Sequence, residues 1–306
     1  MKMKNILAGA CALILLAGCS DASAKLANGS ETVMTVGNQK YTKNDIYQMM
    51  VSSAGGDTVY NKAQTFIAEQ EVELTDEMKD SAKNTLDIYN MMYGDQFTEF
   101  LKSSGMTEDD YVNTVVLPSL QAEKLPGNYI NEHFDDLVST YEPIQVIVLS
   151  FSSEEDASKA ISALKDGSAT AEEAAASNNS SSNGEPEVLV NSSMTYDSAV
   201  LTVLRSGSVD DGWVEVPSSD GATFYVVKIV SKNAADFKDE AVTALGGIST
   251  VTNAATDHFF RKYNFHVYDI DVYNQLKSNH PEILIQDSKA NVSATASPEA
   301  TAPAAE

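Results

Sequence analysis

Four histidines (His133, His258, His266 and His280), two cysteines and forty-four carboxylates are the groups with which this 306-residue chain could do acid–base, nucleophilic or metal chemistry. No two of the histidines stand at metal-ligand spacing, and no cysteine-rich pattern supplies a zinc site. Each histidine is therefore expected at the surface or at a helix end, with no metal and no cofactor. Asp269 and Asp271 begin as a calcium loop does, but the Asp/Asn-Gly and the distal Glu of such a loop are missing. No Gly-x-Ser-x-Gly elbow presents a serine, and spacing alone picks no acid–base pair out of forty-four carboxylates. Asp109-Asp110 and Glu154-Glu155-Asp156 fall where helices are expected to start, and acidic residues there meet the positive end of the helix dipole.

Both cysteines belong to the start of the chain. Lys2 and Lys4 precede the apolar run Ile6 to Leu16 and then Leu16-Ala17-Gly18-Cys19, which reads as a secretion signal over residues 1–18. The run is shorter than the roughly 20 apolar residues of a membrane span. Leu-Ala-Gly-Cys resembles a bacterial lipobox, in which Cys19 becomes the lipidated first residue; a plain cleaved signal with an incidental cysteine is the alternative. Residues 19–31 are small and polar, as suits a tether. The expected location is the extracytoplasmic face of the cell membrane, held by lipid, with no disulfide to support the fold.

Charge excludes some partners. Twenty basic residues against forty-four acidic ones give −24, or −26 once Lys2 and Lys4 leave with the signal (−24 minus 2). Nucleic acid is not expected to bind such a surface, and only Arg205 and Arg261 offer a guanidinium fork. The acidic excess is spread along the chain, as on a solvated surface; a weaker reading is that it suits the protein to basic clients or keeps it off an anionic wall. Residues 287–306, rich in Ala, Ser, Thr and Pro, read as a disordered tail.

Between these ends the pattern is α+β. Gly37-Asn38 separates Val33–Val36 from Gln39–Tyr41 as a hairpin turn, and Thr42 with Asp45 can start a helix. Thr75 caps a helix whose Met78, Ala82, Leu86, Tyr89 and Tyr93 recur at helical spacing up to Gly94. A short helix carries Phe97, Phe100 and Leu101, and another starts after Thr107 and is bent or interrupted at Pro118. These stripes read most simply as helix-on-helix cores, with an adaptable Met- and Tyr-bearing surface as the alternative. Pro126-Gly127 is expected to break the chain before a helix over 128–141. The β-branched run Ile144–Leu149 predicts a buried strand. Ser152 with Glu155, and Thr170 with Glu173, predict two helix starts; Ala157, Ala160, Ile161 and Leu164 form one face of the first helix, and Gly167 stops it. After a polar loop come an apolar segment 199–204 and strands over 213–216 and 224–230.

The residues carry a family resemblance. "VMTVGNQKYTKNDIYQMM" and "ELTDEMKDSAKNTLDIYNMMYGDQFTEFLKSSGMTEDDYVNTVVLPSLQAEKL" resemble the helical chaperone region of PrsA-type extracytoplasmic foldase lipoproteins, which are related to the periplasmic chaperone SurA. The "YGDQF...LK..GMTEDDY" portion is the most specific. Residues 144–231 stand in the place of the parvulin peptidyl-prolyl isomerase domain, and "LRSGSVDDGWVEVPSSDGATFYVVKIVSK" is similar to its closing segment. The resemblance implies a helical chaperone region over 32–141, a parvulin-like domain over 142–232 and a return to the helical region over 233–286.

The same resemblance implies where catalytic groups should stand. Parvulin sites usually place a histidine in the first strand, an aspartate or cysteine after the second helix and a second histidine in the last strand. Here those positions fall at about Val146, Asn179 and Tyr225, and no histidine occurs between His133 and His258. The usual glycine pair is reduced to Gly184-Glu185-Pro186. Met194, Val200 and Tyr225 are left as candidates to line an apolar cleft, or only to fill a core. The function implied is a membrane-anchored folding factor that binds unfolded secreted proteins, with weak or absent isomerase activity and a homodimer permitted. An active isomerase with an atypical site, using the Tyr225 hydroxyl, is the alternative. A wall-polymer or adhesion module reusing the fold is a third reading.

Overall fold

The computed structural model describes residues 26–285. The signal segment, Cys19 and the 287–306 tail lie outside the described residues. The fold is α+β, and it divides into two units, one of residues up to Gln64 together with those from Phe260 onward, the other Thr65–Phe259.

In the first unit, β1 (Thr32–Val36) and β2 (Gln39–Thr42) form an antiparallel hairpin around Gly37, whose φ of 60° is the left-handed conformation that such a turn demands. α1 (Lys43–Glu71) follows at once. Thr42 starts it as expected, its Oγ1 accepting from Asp45 N–H at 3.3 Å while Asp45 Oδ2 accepts from Thr42 N–H at 2.7 Å. Gln275, further along the chain, accepts from Gly56 N–H at 2.8 Å and donates to the Val51 carbonyl at 2.7 Å. A Cβ on Gly56 would come within 2.8 Å of Gln275 Cβ, so glycine there permits the close approach.

The second unit takes up the chain within α1. α2 (Asp76–Tyr93) is capped by Thr75, whose side chain accepts from Met78 N–H, and ends at Gly94. α3 (Asp95–Ser103) and α4 (Glu108–Tyr111) follow, the latter closed by a Thr107–Asp110 capping box. Val112–Val116 then widens into a π-helical turn, so that Leu117 N–H bonds to the Val112 carbonyl, and α5 (Leu117–Glu132) continues directly.

Neither proline breaks the chain where the sequence suggests. Pro118 follows the π-helical turn at once, so its missing N–H falls where the backbone ladder has already widened and the helix runs on through it. Pro126 is inside α5, which runs on to Glu132 before the break at His133 and α6 (Phe134–Tyr141). An internal proline costs about 3 kcal/mol. Leu117, Leu125 and Ile130 on the same helix are buried, and each burial returns roughly 1.5–3 kcal/mol. Gln121 and Asn128 also anchor α5 by donating to the Val72 and Glu71 carbonyls at 2.5 and 3.0 Å.

The segment 142–232 lies wholly within this unit. β3 (Ile144–Phe151) leads into α7 (Glu154–Asp166), which is capped by Ser153, one residue later than the expected Ser152, and ends at Gly167. α8 (Ala171–Ser177) carries the expected Thr170–Glu173 capping box. β4 (Glu187–Leu189), α9 (Ser198–Ser206), β5 (Val214–Pro217) and β6 (Phe224–Ser231) complete it. The sheet order is β4-β3-β6-β5, antiparallel throughout, with β3 and β6 central. Strand alternation sends Leu149, Phe151 and Val226 to one face, under α7 and α8. Val146, Val148, Val227 and Ile229 go to the other, under Val200, Leu201 and Leu204 of α9. After a short 3-10 turn, α10 (Lys238–Gly246) and α11 (Ser249–Lys262) follow. The Ile130, Leu245 and Val251 core joins them to α5 and takes in Val190 from the sheet segment. α12 (Ile270–Asn279) belongs to the first unit and carries Gln275. Asp269 is its N-cap, which explains the Asp269/Asp271 pair as helix start rather than cation loop. Among the described residues no helix is long and apolar enough to cross a membrane.

Candidate functional site

Two surfaces of the second unit bear on function. The first is on α2. Its early stripe is core, with Met78 and Ala82 buried as the spacing predicts. Its last two turns are not: Ile88, Met91 and Met92 are 47%, 80% and 65% exposed. Positions i, i+3 and i+4 share a helix face, so these three make one open apolar strip, and Tyr93 and Phe100 nearby are half exposed. On an adjoining face of the same helix Tyr89 enters a cluster of rings. Phe97 is buried, with Tyr89, Phe100 and Tyr111 at centroid distances of 5.7, 6.4 and 5.2 Å. Asn90 donates to Glu108 at 3.1 Å, tying α2 to α4. The strip thus adjoins a cluster of rings on the same helix, and its methionines have unbranched thioethers that repack around different partners.

The second surface is the α9 face of the sheet, where the resemblance expects catalytic groups. Val146 is fully buried and pairs with Ile229 on one side and Glu187 on the other. Val200 is fully buried as well, so it fills the core. Met194 stands 89% exposed. Asn179 follows α8 with a φ of 56°, a left-handed position that asparagine tolerates better than most residues. Next to it Ser180, Ser181 and Ser182 take over the edge of β3: Ser180 Oγ accepts from Ser150 N–H at 3.2 Å, Ser181 N–H donates to the Ser150 carbonyl at 2.8 Å, and Ser182 Oγ donates to the Val148 carbonyl at 2.7 Å. Val146, Val200 and Tyr225 thus meet in one cluster, with Tyr225 at its half-buried margin.

What the sequence did not single out is the polar pair at that margin. Tyr196 donates its hydroxyl to Glu187, and its ring stands edge-on to Tyr225 with centroids 6.1 Å apart. Burial first, then the Glu187 carboxylate, pushes the Tyr196 phenol well above its ordinary range, so it stays a neutral donor. Glu187 went unnoticed because β4 is only three residues long and follows a proline, too short for alternation to register. Two phenols and a carboxylate can hold a peptide by hydrogen bonds. They supply no imidazole.

Beyond the far end of β3 a groove of about 330 Å³ lies beside Pro143, Ile144, Leu189, Leu201, Arg205 and Lys232. Its two cations are already engaged: Arg205 donates to the Ser193 carbonyl at 2.7 Å, and Lys232 to the carbonyls of Arg205 and Gly207 at 3.0 and 2.6 Å. Arg205 braces the loop before α9, and Lys232 the turn that ends it.

Comparison with known proteins follows from this architecture. No family model matches the chain, and no curated protein matches it in sequence. Among solved structures it is similar to the foldase protein PrsA of Streptococcus pneumoniae, at 17% identity and a TM-score of 0.41, over 80% of this chain and 98% of that one. It is likewise similar to the peptidylprolyl isomerase PrsA of Bacillus cereus, at 17% identity and a TM-score of 0.43, over 83% and 100%. A third likeness, at 15% identity and a TM-score of 0.20 over 78% and 92%, is to a structure described with PEB4 and Cj1289, two SurA-like chaperones of Campylobacter jejuni. The neighbours are foldases and SurA-like chaperones.

Proposed function

We propose that this protein is an extracytoplasmic folding factor that holds unfolded segments of secreted proteins, anchored to the membrane through a lipid on Cys19. The observation that carries the reading is the open strip of Ile88, Met91 and Met92. Apolar side chains at adjacent turns, in an otherwise acidic chain, suit clients that show apolar side chains before they fold. The charge of −26 without the signal segment (−24 minus 2) keeps the loaded protein soluble and opposes self-association. Basic client segments gain from it as well.

Isomerisation of an X-Pro bond is weak or absent in this reading. That reaction must lower a barrier of about 18–20 kcal/mol by holding the proline in an apolar pocket and favouring the twisted amide with preorganised polar groups. Val146 has no side-chain donor or acceptor, and Tyr196 spends its proton on Glu187. Tyr225 retains a hydroxyl, which is the whole case for an atypical active site. The test is refolding of a proline-limited substrate with the purified protein, following the slow phase and the aggregated fraction together. An unchanged slow phase with less aggregation is expected. A catalytically accelerated slow phase overturns the inactive reading, and Tyr225→Phe then reports whether the hydroxyl is responsible.

A further inference from the structure

Sequence spacing gave the histidines no metal partner, because it could not bring together residues 125 positions apart (258 minus 133). In the fold, Glu132 at the end of α5, His133 at the break before α6, and His258 on α11 converge. Each offers one donor atom, and these atoms all lie within 4.8 Å of one another. His258 Nε2 is 3.7 Å from Glu132 Oε2. The imidazoles stand nearly perpendicular at a centroid distance of 5.5 Å, and the Tyr129 ring packs against both, at 4.5 Å from His133 and 5.3 Å from His258.

A second observation points to a ligand. His133 Nε2 is buried with no hydrogen-bond partner. Buried polar atoms are nearly always satisfied, and an orphan calls for a reason. A lone pair on that nitrogen, with the proton on Nδ1, is what a cation would take up.

We propose that Glu132, His133 and His258 form a binding site for a divalent transition metal such as zinc. Two imidazoles and one carboxylate are a borderline donor set, suited to zinc, cobalt, nickel or copper and poorly suited to calcium or magnesium, which prefer all-oxygen shells. Tetrahedral zinc with bonds of about 2.0–2.2 Å sets its donors roughly 3.3 Å apart. The trio must contract by at most about 1.5 Å from its 4.8 Å limit, and Glu132, whose side chain is 52% exposed, has room to swing. Three protein donors leave a fourth position for water or a client side chain. The ion would clip the α5–α6 junction to α11, which lie on either side of the 142–232 segment in the chain. A metal that joins positions so distant in sequence stabilises the folded arrangement, because the unfolded chain does not hold its donors together.

The experiment is titration of the purified, chelator-stripped protein with cobalt(II) and zinc(II), with magnesium and calcium as controls, read by visible absorption, calorimetry and melting temperature. One cobalt per chain is expected, with the intense d–d bands of a low-coordinate nitrogen/oxygen site, displaced by zinc. Zinc raises the melting temperature by several degrees; magnesium and calcium leave it in place. His258→Gln and His133→Gln each weaken binding at least tenfold, and Glu132→Gln weakens it less. Should His133→Gln impair folding, His258→Gln, at a partly exposed position, decides the question, with circular dichroism confirming its fold. Absence of stoichiometric binding overturns the site. So does binding that survives His258→Gln, which would place the ion on surface carboxylates or other histidines, or an equal response to calcium; Glu132 and His258 would then be only an ion pair.

Discussion

Replacing Ile88, Met91 and Met92 together by glutamine should abolish most client holding while leaving the fold intact. Their exposures of 47%, 80% and 65% amount to nearly two whole side chains of open apolar surface. At roughly 1.5–3 kcal/mol per fully buried side chain, covering that surface yields at most about 3–6 kcal/mol. Immobilising these three side chains takes back some 0.5–1 kcal/mol for each. A net of about 1.5–3 kcal/mol remains, which corresponds to binding roughly tenfold to a hundredfold weaker in the triple variant. Glutamine is a good helix former, and outward substitutions change stability by no more than about 0.5 kcal/mol, so the circular dichroism spectrum and melting temperature should stay those of the parent. The assay is light scattering of a proline-poor client diluted from denaturant, paired with the dissociation constant for an unfolded, fluorescently labelled peptide. A triple variant that suppresses scattering and binds the peptide as the parent does refutes the assignment of this strip.

Three further perturbations test how the fold is held. Gly184→Ala should destabilise by about 2–3 kcal/mol or more, since φ is +85° and a Cβ would lie 2.6 Å from the Ala171 carbonyl group; denaturant unfolding measures it, and a parent-like midpoint would contradict the close approach. Gln121→Ala leaves the Val72 carbonyl without its buried partner, a loss of about 1–3 kcal/mol by the same assay. Acid should destabilise the protein: hydrogen bonds from Thr42 hold Asp45, and those from Thr107 hold Asp110, below the ordinary value of 3.8. A carboxylate depressed in the folded state stabilises above its unfolded pKa, and that stability is lost as pH falls through the folded one. Melting temperature should therefore be level above about pH 5 and drop below about pH 4, with Asp110→Asn reducing the drop.

Local signals were read well from sequence. Thr75, Thr107 and Thr170 cap their helices, and Gly167 ends its helix, because a cap is a contact within three or four residues of itself. The central strand, read over 144–149 from its β-branched run, extends to 151, and the burial of Ala157, Ala160, Ile161 and Leu164 was legible from helical spacing. The sequence also determined that the segment 134–257 holds no histidine, so the strands and helices of that sheet face have no imidazole of their own.

Tertiary structure decided the rest. Pro126 reads as a break until the buried face of α5 outweighs its missing hydrogen bond, a balance set by neighbours that the local sequence does not name. The apolar residues of α2 look alike along the chain; only packing determines that Met78 is covered and Met91 is not. The pairing of Glu187 with Tyr196, and the meeting of His133 with His258 around Tyr129, join residues from separate elements. Such contacts depend on how those elements are brought together, so local periodicity and spacing cannot register them.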